Sequence, residues 1–302
     1  MGRLARGRLV ATPIGIQLGA TTPPADLGDI AAEAEGLGYG EIWLAEDYFQ
    51  LGGISSVATV LGTTRSVPVG LGVAAAVARH PAVMAMELAT LGSAFPGRFM
   101  AGIGHGVPAW VRQMGLQPAS LLRSLREAAT AIRRLLDGDE VTEDGEYFSF
   151  DRVRLLHPPT ARLPLYFGVH GPGRWSSRAS WSMAPCSAGS AHPTTLPGHE
   201  SASTRVDDEP AGVTIMLSSP YAWQGARCAG GGPRCRGSRP RIPPELLDEF
   251  VAAGDASAGA RMIRRLLDAG ADRVVLVPNP AGLRITDAMV DQIRAAAALL
   301  HF

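Results

Sequence analysis

The sequence predicts an α/β protein built as a (β/α)8 TIM barrel in a single domain over residues 1–302. Apolar runs of strand length alternate with helical patterns along most of the chain, which is typical of parallel strands joined by helical crossovers. The length of 302 residues suits one such barrel. No G-x-G-x-x-G motif opens the first predicted helix, so a doubly wound dinucleotide-binding sheet is the weaker interpretation.

The first half of the barrel is predicted element by element. Strands are expected at 14–18, 41–45, 67–76 and 98–103, and helices at about 26–37, 81–91 and 120–136. Gly38 suits the end of the first helix, and Pro81 suits the first turn of the second because its N–H is not needed there. The third run has almost no polar residue, as expected for a strand covered by protein on both faces.

The second half is less regular. An extended hairpin is predicted over 141–157 and a fifth strand over 163–169. A helix at 260–269, a last strand at 272–278 and a C-terminal helix from about Thr286 complete the pattern.

The segment from about Trp175 to Arg241 departs from this pattern. It contains eleven serines and seven prolines, no helical period, and all three cysteines of the chain, Cys186, Cys228 and Cys235. One interpretation is an aberrant Pro/Ser/Arg-rich insertion or linker, which its composition marks as disordered.

A frame-shifted reading of the gene is the alternative for residues 175–241. All 28 basic residues of the chain are arginine, which indicates a GC-rich coding sequence whose shifted codons read as Arg, Pro and Ser. Shifting the codons of 183–187 by one base, after a preceding G, restores a turn followed by an apolar run. The barrel is therefore predicted to be incomplete or disturbed at strands six and seven.

Composition excludes several classes of function. The 28 basic and 28 acidic residues cancel to a formal net charge of zero, which leaves no electrostatic footprint for nucleic acid or an anionic membrane. No apolar run reaches the roughly 20 residues that span a bilayer, and residues 1–10 lack the apolar core of a signal peptide. We expect a cytoplasmic protein that acts on a small molecule.

Metal and nucleophile chemistry have little support in the sequence. It contains no H-x-x-x-H, no C-x-x-C, no acidic cluster at ligand spacing and no G-x-S-x-G elbow. We therefore predict no metal site.

Unusual residues follow the predicted strands two to five, where the loops of a barrel build its active site. The candidates are Glu46, Asp47, Tyr48 and Phe49 after strand two, residues 74–79 with Ala74, Ala75 and Arg79 after strand three, Gly104, His105 and Gly106 after strand four, and His170, Gly171, Pro172 and Gly173 after strand five. The glycines on both sides of His105 suit close approach of the backbone to a ligand. A purely structural role is the alternative, because acids at strand ends often cap helices or pair with arginine.

Three segments together resemble the bacterial luciferase-like flavin monooxygenase superfamily. They are Glu41-Ile-Trp-Leu-Ala-Glu-Asp-Tyr-Phe49, the stretch from Val69 to Val83 with its Arg79-His-Pro, and Gly97-Arg-Phe-Met-Ala-Gly-Ile-Gly104. Within this superfamily the chain is most similar to the deazaflavin (coenzyme F420)-dependent oxidoreductase branch, the relatives of methylenetetrahydromethanopterin reductase. The resemblance covers residues 10 to about 174 and 242–300.

The resemblance implies hydride transfer between coenzyme F420 and an unknown small organic substrate, with an FMN-dependent monooxygenase or a catalytically defective family member as alternatives. It implies a bulge or non-prolyl cis peptide near 73–76 and a cofactor phosphate held by the backbone of 171–173, a type of turn that attracts anions. Members of the family are often homodimers.

The resemblance also implies roles for individual residues. Asp47 matches an acid near the reactive ring, so Asp47 or Tyr48 is the candidate proton donor or acceptor, and His105 a candidate contact to ring or substrate. Tyr48 and Val107 stand where the sugar-phosphate dehydrogenases of this branch have histidine and glutamate, which argues against that activity. The implied cofactor-binding residues are Glu46, Ala74, Ala75, Arg79, Gly104, Gly106, His170, Gly171, Pro172 and Gly173.

Overall fold

A computed structural model describes residues 12–19, 22–169, 180–185, 214–217 and 273–277, with further helical positions at 260–261, 263–264, 267–268 and 294. The strands are β1 (Ile14–Leu18), β2 (Glu41–Leu44), β3 (Val69–Ala75), β4 (Phe99–Gly104), β5 (Val141–Asp144), β6 (Ser149–Val153), β7 (Leu165–Val169), β8 (Ser180–Pro185), β9 (Thr214–Leu217) and β10 (Arg273–Leu276). The helices with defined bounds are α1 (Leu27–Gly36), α2 (Gly53–Thr63), α3 (Pro81–Ala94), α4 (Pro108–Gln113) and α5 (Leu121–Leu136). None of the described helices is long and apolar enough to cross a membrane.

Eight of the strands close into a barrel in the order β1-β10-β9-β8-β7-β4-β3-β2. Neighbouring strands run parallel, except that β8 is antiparallel to both β7 and β9. The predicted (β/α)8 fold is confirmed, and the predicted disturbance is found at the sixth strand position. The ring is nevertheless complete, because β8 and β9 fill the gap that the sequence left open.

The remaining strands, β5 and β6, form a separate antiparallel hairpin, as predicted for 141–157. Helices α2 and α4 occupy stretches for which the sequence predicts no helix. Strands β8 and β9 likewise lie in the segment 175–241, for which no bounds are predicted, and the other described elements begin and end within about four residues of their predicted bounds.

Helix ends follow local chemistry. α3 begins with Pro81, and Nδ1 of the preceding His80 accepts a hydrogen bond from the Ala82 N–H at 3.2 Å. Gly38 and Gly138, just beyond α1 and α5, both have φ of +91°, a backbone conformation that glycine adopts without steric cost.

The strands send alternate side chains outward, under the helices, and inward, into the barrel. Outward residues such as Ile42 of β2 join the main apolar core, whereas Trp43 packs inside the barrel with Met100 and Val275. Gly70 on β3 makes room for this indole, because a Cβ at Gly70 would overlap the ring. The part of the interior lined by these described residues is therefore filled with packed side chains.

Candidate functional site

Parallel strands deliver their following loops to one end of the barrel, here called the mouth. The loops after β2, β3 and β4 meet there, because these strands are neighbours in the ring. A Cβ at Gly106 would lie 2.9 Å from the Ala75 Cβ and 3.5 Å from the Tyr48 hydroxyl, so one residue from each of the three loops meets at this point. The structure thus brings together candidates from three separate parts of the sequence.

Glu46 and Arg79 form a two-point ion pair at the mouth. The distances are 2.7 Å between Nη1 and Oε1 and 2.6 Å between Nη2 and Oε2. Oε2 also accepts the N–H of Gly53 at 3.2 Å, at the start of α2, and Arg79 Nε lies 3.3 Å from a carboxylate oxygen of Glu87. The hydrogen bonds from Glu46 raise the pKa of Arg79 despite its burial. The charges of Glu46 and Arg79 therefore neutralise each other within the protein. This is the structural role that the sequence analysis gives as the alternative for acids at strand ends.

Tyr48 points its hydroxyl inward. The oxygen is buried and has no hydrogen-bond partner among the described residues. Burial, and then the negative charge of Glu46, raise the pKa of Tyr48 to about 12. The phenol is therefore neutral near pH 7 and is unsuited to act as a base.

Asp47 is the mouth residue whose acidity is shifted toward neutral pH. Burial, and next the adjacent carboxylate of Glu46, raise the pKa of Asp47. Its carbonyl accepts the N–H of Gln50 at 3.1 Å, which fixes the turn after β2. A carboxyl group with a raised pKa is suited to exchange a proton with a substrate.

His105 is held in one orientation by its neighbour. Only 7% of the residue is exposed, and Nδ1 lies 2.6 Å from the carbonyl oxygen of Gly106. Because a carbonyl only accepts, Nδ1 carries the proton of this hydrogen bond. Gly106 has φ of +75° and is packed against Ala75 and Val111, which excludes a side chain at that position.

The end of β3 carries a bulge and a cis peptide bond. The bond between Gly72 and Val73 is cis, and the register with β4 shifts between Leu71 and Ala74. This confirms the irregularity that the family resemblance implies. Ala74 and Ala75 are buried as whole residues, backbone included, so in this structure neither presents a surface to a ligand.

Val73 lies over two glycines of neighbouring strands. A Cβ at Gly104 would come within 2.6 Å of Val73 Cγ2, and a Cβ at Gly168 within 2.8 Å of Val73 Cγ1. Both positions need glycine because the bulge turns Val73 toward them. We call Val73, Gly104 and Gly168 the valine ledge.

Part of the predicted site falls outside the described residues. This part comprises His170, Gly171, Pro172 and Gly173. The binding of the cofactor phosphate by this loop therefore remains a prediction. Within the described part of the chain, no three His, Cys, Asp or Glu side chains come together as a metal site would require.

One mouth residue, Trp110 on the short helix α4, was missed by sequence reasoning. Phe49 is a candidate from the sequence because it follows strand two, and Val73 begins the apolar stretch at the end of strand three. Nothing in the sequence marks Trp110.

Fold and site together define an α/β barrel protein whose candidate site lies at the carboxyl ends of its strands. The family model described as luciferase-like monooxygenase matches residues 6–179, more than half of the chain. The protein belongs to this family.

Curated relatives fall into two groups. The chain is 32% identical over 162 residues to an F420-dependent glucose-6-phosphate dehydrogenase of Nakamurella multipartita, covering 49% of this chain and 48% of the relative. It is 28% identical over 158 residues to a 5,10-methylenetetrahydromethanopterin reductase of Methanolobus tindarius, covering 52% and 48%. It is 35% identical over 146 residues to a 4-hydroxyprotoasukamycin monooxygenase of Streptomyces nodosus subsp. asukaensis, covering 45% and 39%. The chain thus spans about half or less of the length of the curated relatives it matches.

Proposed function

We propose that the protein is an F420-dependent oxidoreductase that transfers a hydride between coenzyme F420 and a small organic substrate. The relatives named as F420-dependent support the cofactor. The observation that carries the proposal is the valine ledge, formed at the bulge of β3, where Val73 lies over Gly104 and Gly168.

The ledge fits a flat, neutral tricyclic ring. It offers the half-buried apolar side chain of Val73, and the partly exposed Gly106 of the adjoining loop has no Cβ to cover its backbone. Such a surface packs against a ring face without leaving polar side chains buried and unsatisfied. Ala74 and Ala75 are buried behind this surface, and Gly171-Pro-Gly173 is proposed to hold the cofactor phosphate.

Coenzyme F420, when bound, would provide the hydride chemistry of the reaction. The protein holds the reacting groups in place and excludes water from them. Asp47 is the group proposed to hold or accept the accompanying proton at its carboxylate, since its pKa is raised. His105, oriented by its hydrogen bond to Gly106, is proposed to contact ring or substrate. The ion pair of Glu46 and Arg79 fixes the loops that carry these residues.

An FMN-dependent luciferase-like monooxygenase is the enzyme alternative, favoured by the 35% identity to a monooxygenase. The test is to load the purified full chain with F420 or FMN and to record the absorbance of the protein-bound fraction after gel filtration. We expect F420 to be retained. Retention of FMN with loss of F420 would overturn the proposed cofactor.

A catalytically defective family member is the second alternative. It is favoured by β8, which runs antiparallel in a ring whose other neighbouring strands are parallel. The frame-shifted reading of 175–241 stays a proposal, and limited proteolysis tests it. Rapid cleavage within this segment and poor solubility would support the frame shift, whereas protection would support a true insertion.

Homodimer formation and a cytoplasmic location remain predictions from the family resemblance and the composition. Multi-angle light scattering of the full chain tests the first, with a mass of twice 31.6 kDa expected. A monomeric mass at micromolar concentration would contradict it.

A further inference from the structure

Three aromatic side chains lie side by side at the mouth, and we call Phe49, Tyr48 and Trp110 the aromatic row. The Tyr48 ring is 6.2 Å from that of Phe49 and 6.1 Å from that of Trp110, both tilted by more than 50°. These are the separations at which aromatic rings attract one another. Because two members follow β2 and the third lies on α4 after β4, the row crosses the carboxyl end of β3, where the valine ledge begins.

The row exposes the apolar ring of Phe49 and buries the hydroxyl of Tyr48. Phe49 is 70% exposed and is held with φ of +67°, a region that few residues other than glycine occupy. The hydroxyl of Tyr48, the polar atom of this ring, is buried on the side of Gly106. An exposed phenylalanine beside a ligand site is typical of a surface that is covered when the ligand binds.

The charge of Arg79 is already paired within the protein. Arg79 gives both terminal nitrogens to Glu46 and directs Nε toward Glu87. A phosphate that bound Arg79 would have to displace the Glu46 carboxylate, which is only 5% exposed, and leave it buried beside a second anion. That arrangement is strongly unfavourable.

We propose that the aromatic row binds the substrate of the hydride transfer, and that this substrate is an uncharged, planar ring compound and not a phosphorylated sugar. This inference rests on the proposed function for the role of the bound molecule. Phe49 and Trp110 offer ring faces and edges for stacking, and the valine ledge lies where the cofactor ring is proposed to bind.

Direct binding tests this without knowledge of the natural substrate. The probes are 2-naphthaldehyde, a flat uncharged ring compound, and glucose 6-phosphate, each titrated into the full chain with and without F420 and followed by saturation-transfer NMR. We expect binding of 2-naphthaldehyde and none of glucose 6-phosphate. Phe49→Ala and Trp110→Ala should each weaken 2-naphthaldehyde binding about tenfold. Leu156→Ala, at an apolar residue that is 86% exposed, is the matched control and should leave binding unchanged.

Trp110→Tyr keeps an aromatic ring at this half-buried position and should retain most of the 2-naphthaldehyde binding. It therefore separates loss of the ring from a folding defect in Trp110→Ala. Binding of glucose 6-phosphate in preference to 2-naphthaldehyde would overturn the proposal. So would equal 2-naphthaldehyde binding in wild type, Phe49→Ala and Trp110→Ala. Retention of F420 is measured on the same samples. If F420 is retained but 2-naphthaldehyde binding does not depend on the aromatic row, the substrate class alone is overturned. If that binding depends on the aromatic row but F420 is not retained, the proposed cofactor alone is overturned.

Discussion

The carboxylate of Glu41 and the guanidinium of Arg273 form an ion pair across β1, between residues 232 positions apart in the sequence. Nη1 of Arg273 lies 2.5 Å from one oxygen of Glu41, and the other oxygen accepts the Trp43 indole N–H at 2.9 Å. Glu41 is only 2% exposed, and Gly15 leaves room for it on the strand between. The contact ties the last described strand of the barrel to the second at the end opposite the mouth.

Arg273→Ala should destabilise the protein because it leaves the Glu41 carboxylate buried without its cation. Complete loss of a buried partner costs about 3–5 kcal/mol, and the half-exposed position of Arg273 reduces this to about 1–3 kcal/mol. Urea unfolding followed by tryptophan fluorescence measures it. Arg294→Ala, which breaks an exposed ion pair with Glu33, is the control, and an equal loss in both variants would contradict the prediction.

The distance of this ion pair along the chain explains why sequence reasoning did not find it. Apolar runs and turn residues are local signals, and they predicted β1 and the start of α3 with Pro81 at its first position. Which charged residue meets Glu41 depends on how the ring closes. The antiparallel direction of β8 could not be predicted for the same reason, because its pairing with β7 and β9 is not encoded in any local pattern.

The candidate site, like the fold, could be predicted from the sequence only in part. That Asp47, Tyr48 and His105 belong to one mouth follows from barrel geometry, which places every loop after a strand at the same end. That Glu46 is engaged by Arg79, and that the Tyr48 hydroxyl points inward, depends on side-chain packing. Helix α2 was missed because it contains no charged residue to mark an outer face, and α4 because it is only six residues long.

Glu35 gives a pH-dependent contribution to stability. Its carboxylate accepts backbone N–H groups of Arg65, Ser66 and Val67 at 2.7–2.8 Å. Burial by itself raises the pKa of Glu35, but these hydrogen bonds outweigh it and the net pKa is lowered. A lowered folded-state pKa means that the stabilisation is present above the unfolded-state value and is lost as the pH falls through the folded-state value.

Glu35→Gln should therefore be less stable than wild type at pH 7, and the difference should shrink on acidification below pH of about 4. Urea midpoints between pH 3 and 7 measure this. Glu140→Gln, at an exposed carboxylate, serves as the control and should show no such trend. A constant difference for Glu35→Gln across the whole range would rule out the carboxylate as its source.

The valine ledge predicts a compensating pair of substitutions. Gly168→Ala adds a methyl group that would lie 2.8 Å from Val73 Cγ1, and its three nearest contacts are all atoms of Val73. Overpacking of this kind costs about 1–3 kcal/mol, and it should also reduce F420 retention because the ledge is displaced. Val73→Ala removes the clashing methyl groups, so the double variant should recover stability. A double-mutant cycle measures the coupling, and strict additivity would show that the two residues do not touch.

Tyr48→Phe removes a buried hydroxyl that has no hydrogen-bond partner among the described residues. Loss of an unsatisfied buried polar atom is neutral or stabilising. We expect the unfolding free energy to stay within about 0.5 kcal/mol of wild type or to rise. Tyr39→Phe, at another buried tyrosine, is measured alongside it, so that the change in unfolding free energy can be compared between the two lost hydroxyl groups. A clear loss of stability in Tyr48→Phe would mean that the hydroxyl has a partner, and would reopen its candidacy for proton transfer.

Asp47→Asn tests the proposed proton-transfer group. The variant should retain F420, because the valine ledge is untouched, yet lose about 10²–10⁴-fold in turnover, the usual contribution of a positioned acid or base. The assay follows F420 absorbance during oxidation of 2-naphthylmethanol and reduction of 2-naphthaldehyde. Tyr48→Phe is the matched control and should keep most of the activity.

The pH dependence of the wild-type reaction rate in each direction follows from the protonation state of Asp47. Burial and the neighbouring Glu46 raise the pKa of Asp47 above its ordinary value of 3.8. Alcohol oxidation needs the ionised carboxylate as base, so its rate should fall as the pH drops through this raised pKa. Aldehyde reduction needs the protonated acid and should lose rate as the pH rises through the same value. An acid limb that persists unchanged in Asp47→Asn would assign the proton to another residue, because an amide does not titrate in this range.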